Sequence, residues 1–164
     1  MFKVNDYVVY GTTGVCRITD IAKDESIGDH QTEYYVLHPV YCDNMTIKIP
    51  VKNEKVSMRA ILSANEVTAL IAAMPQLETV WIEDNRERNE SFKTMLRRGS
   101  CQDWIKLIKT LYTEKKSRAS AGKSLTNSDE EIMRTAEKQL YEEFSVVLNI
   151  PPDEVVSYIH AHIP

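Results

Sequence analysis

Five short runs of β-branched, aromatic or alternating residues follow one another in residues 1–61, with no helical period between them. The first, Tyr7–Tyr10, is bounded by Asn5-Asp6 and by Gly11-Thr12-Thr13-Gly14. Both borders carry turn chemistry, because glycine reaches positive φ without a steric penalty and Asn/Asp side chains bond their own backbone. Residues 15–21 form a second candidate strand. After a polar stretch, residues 33–40 form a third, almost continuously apolar. Cys42-Asp43-Asn44 turns the chain. Met45, Ile47, Ile49 and Val51 then alternate with Thr46, Lys48 and Pro50. A period of two places one face in a core and the other in water. Residues 56–61 complete the set. Short strands in succession, without crossover helices, predict a small meander closed into a barrel. Pro50 has no N–H for a ladder, so its strand lies at an edge or ends there. Such an edge either accepts a partner strand or is blunted, here by Lys48 and Pro50.

The rest of the chain reads as helices. Ser63-x-x-Glu66 is a capping box ahead of Val67, Leu70, Ile71 and Met74, and Pro75 stops that helix. A second helix is expected over residues 80–98, with Gly99 as its left-handed stop. Ser100-x-x-Asp103 opens a third, whose apolar face carries Trp104, Leu107, Ile108 and Leu111. Residues 115–125 are polar and Gly/Ser-rich and read as a loop. Ser128-x-x-Glu131 then caps a long helix with Ile132, Ala136, Leu140 and Phe144, and Pro151-Pro152 starts a short one with Val155, Val156 and Ile159. The expected class is α+β, in two domains: a β-barrel at residues 1–61 and an all-helical domain at 62–164.

Composition narrows the function classes. Apolar residues make up 43% and charged residues 27%, as in a soluble globule. No apolar stretch approaches a membrane span and no basic-then-apolar signal opens the chain, so a cytoplasmic protein is expected. Cys16, Cys42 and Cys101 are odd in number and far apart, which suits reduced thiols, and no metal is expected. His160 and His162 read as a frayed helix end. Gly122-Lys123-Ser124 imitates the end of a P-loop, but Ser117 stands where the motif needs its first glycine and no strand precedes it. The pairs Glu130-Glu131 and Glu142-Glu143 are expected on helix exteriors. No enzyme and no cofactor is expected.

The charge is segregated. Residues 86–123 hold eleven Lys/Arg against four acids, a net +7, whereas residues 124–164 are net −6. A basic island in an acidic protein is an electrostatic footprint for phosphate. At about 100° per residue, Arg86, Lys93 and Arg97 fall within about 40° of one another, with Phe92, Met95 and Leu96 on the opposite side. The other reading of the island is a solvated face neutralised by the acidic last third.

The run KVNDYVVYGTTGVCRITDI resembles the opening of the CarD/CdnL family of bacterial transcription regulators, as do Glu33-Tyr34, Thr46-Ile47-Lys48-Ile49-Pro50 and Arg59-Ala60-Ile61. The transcription–repair coupling factor carries a similar domain. The resemblance covers the β head well and the helices more loosely. It implies a Tudor-like (SH3-like) head that docks on the RNA polymerase β subunit, with Met45, Thr46, Ile47, Lys48, Ile49 and Pro50 as the contact strand. The family's polymerase-contacting basic residue aligns with Lys48. It also implies a helical domain touching promoter DNA at the upstream edge of the melted region, without sequence-specific readout. The DNA set is Trp81, Asn85, Arg86, Arg88, Lys93 and Arg97.

Trp81 has two readings. The family uses a tryptophan near the start of this helix as a minor-groove wedge, in a place that aligns nearer Asn85, one turn later than Trp81. In a helix continuous from Val80, Trp81 lies within about 40° of Phe92 and Met95, on the core face. If the helix starts at Asp84-x-x-Glu87, Trp81 lies outside it and projects. Trp104 is expected in the core. The functional expectation is a non-enzymatic regulator that stabilises the open promoter complex. Its alternatives are a protein–protein adaptor with a Tudor-like module, whose basic helix meets an acidic protein, and a small module on RNA or the ribosome. An aromatic cage for methylated ligands is disfavoured because Tyr7, Tyr10, Tyr34 and Tyr35 read as strand residues.

Overall fold

The computed structural model describes residues 1–23 and 32–164, so the polar stretch between the second and third strands lies largely outside the described residues. The chain divides into two compact units, Met1–Ile61 and Leu62–Pro164.

The first unit is one antiparallel sheet of β1 (Tyr7–Tyr10), β2 (Gly14–Lys23), β3 (Glu33–Pro39), β4 (Ile47–Pro50) and β5 (Met58–Ala60), in the order β4-β3-β2-β1-β5. The β1–β2 hairpin closes on Tyr10 opposite Gly14. At Gly11 (φ 47°) a Cβ would meet Val56 Cγ1 at 2.7 Å, so this turn needs a residue without a side chain. Val8, Cys16, Ile18, Tyr35, Leu37 and Ile49 form the buried cluster, with Phe2 edge-on to Tyr35 and its N–H donating to the Tyr35 hydroxyl at 3.2 Å. Tyr34 and Tyr35 are buried strand residues and Tyr7 is exposed. The barrel expected from the meander does not close. The four residues of β4 and the three of β5 stand at opposite ends of the sheet, and no ladder joins them among the described residues. Pro50, which cannot donate, ends β4 opposite Tyr34.

The second unit packs α1 (Ala64–Ala73), α2 (Asn85–Arg98), α3 (Cys101–Ser120), α4 (Asn127–Leu148) and α5 (Val155–His162) around Val67, Ile71, Phe92, Trp104, Leu107, Leu111, Ile132, Leu140, Phe144 and Val155. Ser63 and Glu66 make the reciprocal capping box, and a single 3₁₀ turn containing Pro75 follows α1. Gly99 ends α2 at φ 72°, and Ser100 caps α3 through the Asp103 N–H.

Several local expectations change. Residues 80–84 are not helical, because Asp84 takes the N-cap and accepts from the Glu87 N–H. Residues 115–120 continue α3 instead of looping out. Lys, Arg and Ala favour helix, and Arg118 pairs with Glu114 one turn back at 3.2 Å. The cap of α4 is Thr126, accepting from the Asp129 N–H, not Ser128. Val156 is 41% exposed and so lies off the apolar face of α5. Glu143 is buried and not on a helix exterior: it accepts from the Leu62 N–H at 3.0 Å and the Cys101 thiol at 3.1 Å.

Candidate interaction sites

α2 is amphipathic in an unusual sense. Phe92 and Met95 are buried, while Arg86, Lys93 and Arg97 are exposed on the other side, as the helical phase requires. Glu90 shares the basic side and lies 3.6 Å from Arg86 Nε. Exposed pairs of this kind contribute only about 0–1 kcal/mol, so Glu90 holds Arg86 weakly.

Arg88 leaves the expected DNA-contacting set. Its side chain is 1% exposed, and it forms a two-pronged ion pair with Asp129, Nε to Oδ1 at 3.0 Å and Nη2 to Oδ2 at 2.8 Å. The phase already carried the signal: Arg88 stands about 200° from Arg86 and within about 40° of Phe92 and Met95. Nothing local marks Asp129 as its partner, because α2 and α4 are brought together only by packing. Lys115 likewise lies 3.7 Å from Glu130, so the acidic last third takes up part of the island.

Trp81 combines its two readings. It lies outside α2, yet its ring packs edge-on to Phe92 with centroids 6.5 Å apart. The Arg88 guanidinium lies 4.2 Å from its ring centroid and that of Arg118 5.4 Å. The ring is half-buried, and its indole N–H is buried with no acceptor among the described residues. Asn85, the first residue of α2, is exposed and accepts from Arg88 Nη2 at 2.8 Å. Trp104 is 1% exposed and donates its indole N–H to the Leu96 carbonyl.

In the first unit, the edge strand β4 turns Lys48 and Pro50 outward and Ile49 into the core, with Ile47 half-buried. Lys48 stands opposite Val36 and Ile47 opposite Leu37. Thr46 and Met45 precede the strand. Met45 is 44% exposed and does not continue the buried alternation, because the ladder with β3 begins only at Ile47. The unit thus offers a short cationic sheet edge.

Residues 2–62 match the CarD-like/TRCF RID domain. The match is consistent with a CarD-like family member and supports an RNA polymerase-interacting role for this unit. A RID domain is a protein-interaction domain associated with transcription factors. A comparison with curated proteins returned no match. In the RID domain the strands and the β4 edge all fall inside the matched region, and in the helical unit only Leu62 does. Among the described residues, no group of three His, Cys, Asp or Glu is placed to share a metal ion, and no helix is long and apolar enough to cross a membrane.

Three polar residues of the helical unit hold groups far from them in sequence. Thr110, 2% exposed, takes the Val80 N–H on its hydroxyl at 2.9 Å. Lys109 donates to the carbonyls of Met74, Pro75 and Leu77. Asp129 pairs with Arg88. All three sit in helices far in sequence from what they hold, so no local motif announces them.

Proposed function

We propose that the chain is a transcription regulator whose RID domain docks on the RNA polymerase β subunit through residues 45–50, while its helical unit contacts promoter DNA upstream of the melted region. The exposed Arg86–Lys93–Arg97 stripe, backed by a buried Phe92–Met95 face, is the observation that carries the DNA part. Trp81 and Asn85, at the N-terminal end of this element, are the groove contacts, and apolar insertion there would hold a base step distorted. Phosphates and groove shape suffice for binding, so no base-reading side chain is needed. A protein that contacts the opened promoter better than the closed one shifts that equilibrium toward open.

The adaptor reading draws on one observation: Glu90 lies within the stripe, and Arg88 and Lys115 are already paired with acids. Duplex promoter DNA separates the two. On the DNA reading, affinity falls with salt at a log–log slope of about −0.9 per phosphate neutralised, and Arg86→Glu with Lys93→Glu weakens it further. Binding that ignores both salt and the charge reversals would leave the adaptor.

A further inference from the structure

Arg88 spends every N–H it has inside the helical unit. Nε and Nη2 reach the two oxygens of Asp129, Nη2 also reaches Asn85 Oδ1, and Nη1 reaches the carbonyls of Ile82 at 2.9 Å and Glu83 at 3.3 Å. A guanidinium has five N–H donors in a fixed fork, and here each has an acceptor. The acceptors come from three places: the first turn of α4, the first residue of α2, and the non-helical segment before α2. The fourth neighbour is the face of Trp81. Asp129 is itself fixed, since its N–H is held by Thr126 and the N-terminus of α4 favours its negative charge. That segment is pinned at its other end by the Val80–Thr110 bond.

We infer that the Arg88–Asp129 pair is a positioning device: it fixes the segment carrying Trp81 and Asn85 at the head of the basic stripe, so that these groups and Arg86 meet DNA as one preorganised surface. The inference rests on the DNA reading above. Arg88 itself touches no phosphate. A lysine cannot replace it, because one ammonium cannot span a carboxylate, two carbonyls and a side-chain amide in the same plane.

Charge arithmetic gives the test. Were Arg88 a phosphate contact held back by Asp129, then Asp129→Asn would raise DNA affinity, and Arg88→Lys, which keeps the charge, would preserve it. A positioning pair predicts that both substitutions in the full chain lower affinity for duplex promoter DNA. The expected loss is roughly two- to thirtyfold, the range over which contacts remote from a ligand modulate binding. The salt slope stays that of wild type, because the phosphate contacts are the same. The double variant is no weaker than the weaker single one, since the two residues act as one unit. Acrylamide quenching of Trp81, read in a Trp104→Phe background, rises in both variants. Asp129→Asn is nearly isosteric and keeps the test open if Arg88→Lys fails to fold. Higher affinity on Asp129→Asn, or unchanged quenching in a folded variant, overturns the inference. If wild type proves not to bind DNA, the DNA reading falls alone, and quenching decides whether the pair positions Trp81.

Discussion

Arg88 and Asp129, 41 residues apart, meet edge to edge with two N–H···O contacts of 3.0 and 2.8 Å and almost no solvent on either side chain. Taking both charges out of water is expensive, and only the paired geometry with its extra carbonyl acceptors offsets that cost. Removing one partner leaves the other charge stranded. Arg88→Met should therefore destabilise the protein by about 3–5 kcal/mol, and Arg88→Met with Asp129→Leu by much less. Urea unfolding of the two variants checks this, and equal losses would mean that the pair is not the source of the effect.

Trp81→Ala should cost about 2 kcal/mol, below the ~3–5 kcal/mol of a fully buried aromatic, because the side chain is only partly buried. If Trp81 also contacts a groove, the lifetime of the polymerase–promoter complex shortens by more than the stability loss can explain. Melting curves and complex half-lives on the same variant separate the two contributions. A full-sized core penalty with an unchanged lifetime would shift the groove contact to Asn85.

Lys48→Glu reverses the charge on the exposed side of β4 without touching Ile47 or Ile49, which face the core. Binding to the isolated polymerase β subunit should weaken while the melting temperature stays within about 2 °C of wild type, as for an ordinary surface substitution. Unchanged affinity at moderate salt would remove β4 from the interface.

Glu142 lies on α4 with its carboxyl pushed above the usual range, first by burial, with Lys138 partly opposing that shift. Glu137 is shifted the same way by burial, which outweighs the opposing positive charges of Lys115 and Arg134. A carboxyl whose folded pKa is raised binds more protons in the native state than in the unfolded one. Stability therefore falls as pH rises from the ordinary glutamate range through the folded value. Glu142→Gln, which stays neutral, should raise the melting temperature slightly at pH 7 and leave it unchanged well below the carboxylate range. Because the side chain is only partly buried, the gain is small. A stabilisation equal at both pH values would point to packing instead of titration.

The sequence determined the elements that rest on local chemistry. The turn at Gly11–Gly14, the capping box Ser63–Glu66, the stop at Gly99 and the cap at Ser100 are all written in neighbouring residues, and each stands where its chemistry asks. The burial of Trp104, Leu107 and Leu111 on α3 and of Ile132, Ala136, Leu140 and Phe144 on α4 follows from helical phase, as does the exposure of Arg86, Lys93 and Arg97. The resemblance of the first strands to a polymerase-binding family was legible for the same reason: a RID domain is short and its ordered series of turns and strands is continuous in the chain. Tertiary structure decided what depends on partners distant in sequence. Whether the sheet closes depends on β4 reaching β5, and their order keeps them apart. Whether a basic residue faces solvent or a carboxylate depends on which helix packs against it: Asp129 takes Arg88 inside, while Arg97, on the other side of the same helix, stays in water. Trp81 lies outside the helix as the Asp84 cap dictates, yet it rests on Phe92, because burying an aromatic face is favourable whichever way the backbone arrives.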